Sequence, residues 1–397
     1  MSRGEGSPLE QARRALELGA LKRAEYLLKQ ASNTPGEGQE AVLKDLMHLA
    51  ELWQESGKSV RAARLYEEVI QRLERLHDVE SRELIEPLRR RATALLETDL
   101  PHEQSCEPAE DCLRRALRLQ ELHVGPGTIE AAWMLLDLTD LLQDHERCDE
   151  AEGLGRQAWD IGREFAWDDT ALFFEATDWL VWWYEAHQEW GSGQRLLESS
   201  LKLAAELLGA DHPRLAELMG AKANMLLQDD RDVDEADQLC ARGLDILARS
   251  YGDNPVSTDI GPRSPDELAQ IRLIFSSLNS IRAHAAFVRG KMLACHFLLN
   301  RALLLIDVPD GEVSAEVRAS LAAAHGSTLQ AMAHLAIEEG DDAQAERLFQ
   351  RAVAHSEQGD PDRMAMLLED YAAWLDEHDR QTEADQARRE AEDLRNG

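Results

Sequence analysis

The sequence predicts an all-α fold, a solenoid of about nine stacked helical hairpins, from repeat spacing, helical periodicity and composition. A small–large–small pattern at positions i, i+4 and i+7 recurs along the chain, most often about 42 residues apart. Each occurrence follows a second segment whose apolar residues recur at 3, 4 or 7, the period of an amphipathic helix. No well-patterned segment alternates as a strand would. With 44% hydrophobic and 30% charged residues the chain has ample material for a core.

Taken in order, the pattern opens at Ala24/Leu28/Ala31 and returns at Ala62/Tyr66/Val69 and Ala109/Leu113/Ala116. It is degenerate at Ala151/Gly155/Ala158, then clear at Gly193/Leu197/Ser200, Ala236/Cys240/Gly243, Cys295/Leu299/Ala302 and Ala345/Phe349/Ala352. A last degenerate copy stands at Ala384/Arg388/Ala391. Residues at these spacings share one helix face, and small ones let a neighbouring backbone approach. The partner helices upstream include Leu46-Leu49-Ala50-Trp53, Leu135-Leu138-Leu142 and Leu368-Tyr371-Ala372-Leu375. Short breaks such as Ser56-Gly57-Lys58, Asp144-His145-Glu146 and Glu339-Gly340-Asp341 separate the two helices of a hairpin. A single hairpin cannot bury its apolar face alone, so each must stack on the next. The expected organisation is a truncated first hairpin and linker over 1–40, an array over 41–251, an irregular loop over 252–266, and an array with a charged capping helix over 267–397. A second irregular stretch, Thr98–Pro108, is expected as a surface loop.

These residues resemble the tetratricopeptide repeat family, and in particular its kinesin-light-chain-like branch. The most specific match is Leu207-Leu208-Gly209-Ala210-Asp211-His212-Pro213-Arg214-Leu215-Ala216, similar to that branch's linker between hairpins. Gly125-Pro126-Gly127-Thr128 and Tyr251-Gly252-Asp253-Asn254-Pro255 look like worn copies of it. The resemblance covers nearly the whole chain and implies a right-handed superhelical solenoid. It also implies that the first helix of each hairpin lines a concave surface on which partners dock. The departures are specific. Where the branch repeats asparagines, this sequence has Met47-His48, Arg89-Arg90, Leu136-Asp137, Asp178-Trp179 and Ala221-Lys222. No Lys/Asn/Arg clamp for a chaperone tail is matched either.

Charge narrows the partner. The chain carries 76 acidic against 43 basic residues, a net −33, which argues against direct binding of nucleic acid or an anionic membrane. The polar start and the five scattered cysteines fit a cytoplasmic, reduced setting. Catalytic grammar is thin. Arg289-Gly290-Lys291-Met292 is no phosphate cradle, and Gly191-Ser192-Gly193 sits at a hairpin turn rather than after a strand. His102, Cys106, Cys112 and His123 match no zinc spacing, and Cys112 falls on a packed face. The expectation is a non-enzyme with no cofactor and no metal.

The informative anomaly is aromatic. Phe165, Trp167, Phe173, Phe174, Trp179, Trp182, Trp183, Tyr184 and Trp190 crowd one stretch. From Leu135 to Trp190 there are 15 acidic and 3 basic residues. At ~100° per residue, Trp182 falls about 60° beyond the arc that holds the inward-facing aromatics, which makes it the tryptophan expected to face solvent. Carried over residue by residue, the resemblance puts Trp133, Leu136, Asp140 and Asp144 on the concave face. Glu175, Asp178, Trp182 and Glu185 follow on the next hairpin, then Leu218, Met225 and Gln228. An aromatic anchor ringed by carboxylates suits a partner protein or peptide with a basic residue beside an apolar one. The expected function is a non-catalytic interaction scaffold or adaptor. The alternatives are a peptide-responsive sensor that switches a partner, an enzyme with an unrecognised metal site, and a homo-oligomer joined through the aromatic cluster.

Overall fold

The computed structural model describes residues 7–32, 38–98, 100–143, 147–229, 232–252, 264–307, 313–356 and 361–396. Among them the chain forms 18 α-helices and one short 3-10 turn, with no strand. It divides into two compact units, Met1–Leu180 and Val181–Gly397.

The first unit holds α1 (Pro8–Glu17), α2 (Leu21–Ala31), α3 (Gln39–Glu55), α4 (Ser59–Leu76), α5 (Ile85–Leu96), α6 (His102–His123), α7 (Ile129–Gln143) and α8 (Cys148–Glu164). It also holds the start of α9 (Thr170–Ala186), within which the boundary falls. The second unit holds the end of α9, then α10 (Trp190–Leu208), α11 (Pro213–Gln228), α12 (Val233–Tyr251), α13 (Pro265–Val288) and α14 (Met292–Ile306). It closes with α15 (Ala315–Glu338), α16 (Asp342–Ser356), α17 (Pro361–Glu377) and α18 (Gln381–Asn396). Consecutive helices pair: α1 on α2, α3 on α4, α5 on α6 and α7 on α8, then α11 on α12 and so on to α17 on α18. In the second unit the first helices of successive pairs also touch, α11 on α13, α13 on α15 and α15 on α17. That alignment turns one face of each first helix toward a common surface.

The small–large–small residues are the seams of this stack. Ala24, Leu28, Ala31, Ala62, Tyr66, Ala345, Phe349 and Ala352 are all inaccessible to solvent. Within a hairpin the chain reverses through a residue in the left-handed region. Gly57 has φ +70°, which lets the amide of Lys58 donate to the carbonyl of Trp53 at 2.9 Å. Gln188 and Asp379 take the same conformation before α10 and α18, at φ +58° and +60°, where a side chain costs about 1 kcal/mol.

Two expectations about irregular segments change. Thr98–Pro108 is a loop only at its start, because α6 begins at His102 and runs through Pro108. Ser105 is buried there, its hydroxyl donating to the carbonyls of Leu100 and Pro101, and Ala109, Cys112 and Leu113 are buried just beyond the proline, so packing overrides it. In the 252–266 stretch, Ser264 caps α13 and Pro265 and Asp266 form its first turn. The Ser264 hydroxyl accepts from the amide of Glu267, whose carboxylate accepts from the amide of Ser264. Residues 253–263 lie outside the described residues, as does the Asp144-His145-Glu146 break. No described helix is long and apolar enough to cross a membrane.

Candidate partner-binding site

In the first unit, α7 carries Trp133, Leu136 and Asp140. Trp133 is half-buried and its indole N–H donates to Asp169 at 3.1 Å. Asp140 is exposed and accepts the indole N–H of Trp179 at 2.9 Å. Two indole–carboxylate pairs therefore tie α7 to the segment that opens α9. Between these residues, burial pushes the Asp137 carboxyl up to about 6, against the pull of the Arg89 guanidinium. Glu175 and Asp178 are exposed. Leu136 is buried, contrary to its expected place on the groove. Asp144 lies outside the described residues. The basic run on α5 is engaged locally: Arg89 and Arg90 pair with Glu86, and Arg91 pairs with Glu67 and donates to the Cys112 thiol. Cys112 and Cys240 are buried, and burial pushes both thiols up, Cys240 to about 12. Both are packing positions, as the residue pattern implied.

In the second unit, Trp182 is 48% exposed, as its helical angle predicted, although Trp167 of the first unit stands more exposed at 69%. Glu185 is half-buried and accepts from the Asn224 side chain at 3.0 Å. Burial raises its carboxyl above the ordinary range, opposed by that hydrogen bond and by the attraction of Arg363. Gln228 is exposed near it. Leu218 and Met225 belong to the core instead of the groove, at 2% and 0% exposure. Met225 lies so close over Gly193, beside Tyr184, that any side chain at 193 would overlap its thioether. The physical reason is rotational. The face that α11 turns to the common surface is Glu217, Gly220, Ala221, Asn224 and Gln228, about 100° round from the larger Leu218 and Met225. Large residues drew the assignment, whereas small ones open the surface.

That face borders a cavity of about 830 Å³ walled by α11, α13 and α15. Glu185 and Arg363 also line it, on the outer helices α9 and α17. Leu273, Ile274, Leu278 and Ile281 of α13 supply apolar wall, and hydroxyls supply the rest: Ser276, Ser277, Ser280, Ser320, Ser327 and Thr328. Several of these hydroxyls already give their proton to the backbone. Ser320 donates to the carbonyl of Glu316, Ser327 to Ala323 and Thr328 to Ala324, each one turn back. Ser276 donates to the carbonyl of Ala302 across to α14. A hydroxyl so engaged keeps lone pairs but offers no donor. With Glu185, and with Glu217 already paired to Arg214, the wall between these groups is richer in acceptors than in donors, Arg363 on α17 being its cation. Sequence reasoning missed Asn224, Gly220 and this hydroxyl set. The signal was present in the spacing of Ser276-Ser277 with Ser280, and of Ser320 with Ser327-Thr328.

No protein-family model matches the chain, and no curated protein matches its sequence. Solved structures do match. The apo form of RapI is 12% identical, covering 98% of this chain and 96% of its own, with a TM-score of 0.61. The apo form of the quorum sensor NprR from B. thuringiensis is 10% identical over 98% of this chain and 97% of its own, with a TM-score of 0.55. A signal-transduction ATPase with a tetratricopeptide repeat sensor from Pyrococcus horikoshii is 14% identical, with a TM-score of 0.50 over 75% of this chain and 41% of its own. At these identities the likeness speaks for the fold, an all-α helical repeat of tetratricopeptide type.

Proposed function

We propose that this tetratricopeptide-like array is a non-catalytic cytoplasmic adaptor whose second unit takes a basic, partly apolar segment of a partner protein against α11, α13 and α15. The observation that carries the reading is the acceptor-rich wall. Glu185 and back-bonded hydroxyls receive N–H and ammonium groups beside the Arg214–Glu217 pair, while Leu273, Ile274 and Ile281 cover an adjoining apolar side chain. Desolvation of Glu185 leaves it poised for a cation, since an incoming guanidinium or ammonium replaces water it has already lost. Gln228 belongs to the same surface. Exposed Trp182 is a proposed aromatic anchor, and Trp133, Asp140, Glu175 and Asp178 are proposed partner contacts of the first unit.

A random-peptide display library panned on the full chain tests this. Recovered sequences should be enriched in Arg or Lys next to an apolar residue. Ser277→Trp, which fills the cavity, should abolish that enrichment, and Trp182→Ala should weaken it. Enrichment of acidic sequences, or recovery unchanged by Ser277→Trp, would sink the proposal. A pH dependence follows with a definite sign. The bound cation requires ionised Glu185, so affinity for a recovered peptide should fall as the pH is lowered toward that raised pKa, and Glu185→Gln should flatten the profile. One feature favours a sensor as a second reading: a cavity of about 830 Å³ suits a short free peptide. A sensor should compact on binding the recovered peptide and an adaptor should not, which small-angle scattering distinguishes.

A further inference from the structure

Helix α14 is the only one of the described helices that carries no Asp or Glu, in a chain of net charge −33. It is also where large apolar side chains stand most exposed: Leu293 at 88%, Phe297 at 65% and Leu304 at 66%. At ~100° per residue these three fall within about 40° of one another, a single stripe ~16 Å long on the outer side of α14. The opposite side of the helix is the packed seam, with Cys295, Leu299 and Ala302 buried. Asn300 is the one polar residue at the same angle, its side-chain amide turned back to the carbonyl of His296, and an exposed stripe so dominated by apolar side chains marks a contact surface.

We propose that this stripe is where a second copy of the chain docks, the two α14 helices crossing antiparallel about a twofold axis. Charge fixes where two copies can meet. Two bodies of net charge −33 repel over most of their surfaces, and the helix without carboxylates is where they can close. The stripe is also complementary to itself. A twofold axis perpendicular to the helix, passing between residues 298 and 299, lays Leu293 of each copy on Leu304 of the other and brings the two Phe297 rings together at the centre. Arg301 flanks the stripe about 60° to one side, and such an axis keeps it on that side in both copies. Each guanidinium therefore arrives beside the other copy's Phe297, a cation–π contact made twice. Isologous pairing of this form needs no second kind of surface. It is independent of the cavity, which the first helices of the hairpins line.

Sedimentation velocity of the full chain, from micromolar to submillimolar concentration and in low and high salt, tests the proposal. A concentration-dependent dimer should appear and should strengthen with salt, because screening weakens repulsion between the like-charged bodies. Phe297→Glu or Leu304→Glu should return the sedimentation coefficient to that of a monomer, with an unchanged circular dichroism spectrum because both sites are exposed. Arg301→Gln should weaken the dimer by about tenfold. Register is read separately. A short bis-maleimide should join Leu293→Cys chains to Leu304→Cys chains when the two are mixed, with the 293–304 link found by peptide mapping. Monomer throughout that range, a dimer that survives the Phe297→Glu, Leu304→Glu double variant, or 293–293 links in place of 293–304 would overturn it.

Discussion

Asp137 shows how a single side chain on α7 can work against the fold. Burial outweighs the attraction of Arg89, and the charge of Asp140 one turn on adds to it, so the carboxyl is pushed up to about 6 from 3.8. An acid whose folded pKa is raised costs nothing below its unfolded pKa, where both states are protonated. The cost grows as the pH rises and is complete above about 6, where it reaches about 3 kcal/mol at most. Asp137→Asn removes the charge and keeps the shape. Urea denaturation should show a gain of about 1–3 kcal/mol at pH 8 that shrinks as the pH is lowered toward 5.5. A loss at pH 8 would mean that the attraction of Arg89 outweighs the burial. In sequence this residue was only half of the pair Leu136-Asp137 standing where an asparagine was expected, and periodicity does not report desolvation. The same blindness put Leu218 and Met225 on the groove: each lies at a plausible spacing, and only packing shows that Gly193 receives the methionine sulfur. Trp182 was legible because its angle depends on helix geometry alone.

At the scale of elements, the repeat pattern was readable because stacking hairpins forces small residues onto the seams, and its lapses have structural causes. Gly155 occupies the large-residue place of its repeat because the Trp179 ring already fills that space. A Cβ there would stand 2.4 Å from the ring, and the indole is held by its hydrogen bond to Asp140 at 2.9 Å. Gly193 meets the thioether of Met225 at the same 2.4 Å, but an unbranched methionine can re-rotamerise. The two glycines should therefore respond differently to alanine. Gly155→Ala should destabilise by about 1–3 kcal/mol through overpacking. Gly193→Ala should be near neutral, the strain offset by the ~1 kcal/mol helix propensity that alanine gains over glycine. Thermal unfolding of the two variants beside wild type decides it, and equal losses would show that the methionine is as fixed as the tryptophan. Element boundaries were less legible where proline misled. Pro108 suggested a loop within what is α6, because the packing of Cys106 and buried Ala109 on either side of it outweighs one missing backbone donor.

On the scale of the whole molecule, a chain built from hairpins that touch only their neighbours has a stability close to a sum of local terms, with no single core to fail at once. The division into two compact units at Leu180–Val181 sharpens that expectation, since the apolar clusters around Leu46 and Tyr66 and around Phe349 and Trp374 are separate. A defect should then stay near its source. Hydrogen exchange of Gly155→Ala, compared with wild type, should rise in α8 and around Trp179 of α9, where the strained contact is, by about tenfold for each 1.4 kcal/mol lost. The amides of α15–α18 should keep their wild-type protection. If protection falls by the same factor from α3 to α18, the array unfolds as one cooperative body. Cooperativity of that kind would carry strain from either unit through the helices to the other. It would also favour the sensor over the adaptor, because a peptide seated against α11, α13 and α15 could then alter surfaces well beyond its own contacts. Local damage alone would favour the adaptor, whose hairpins need only hold their own faces in place.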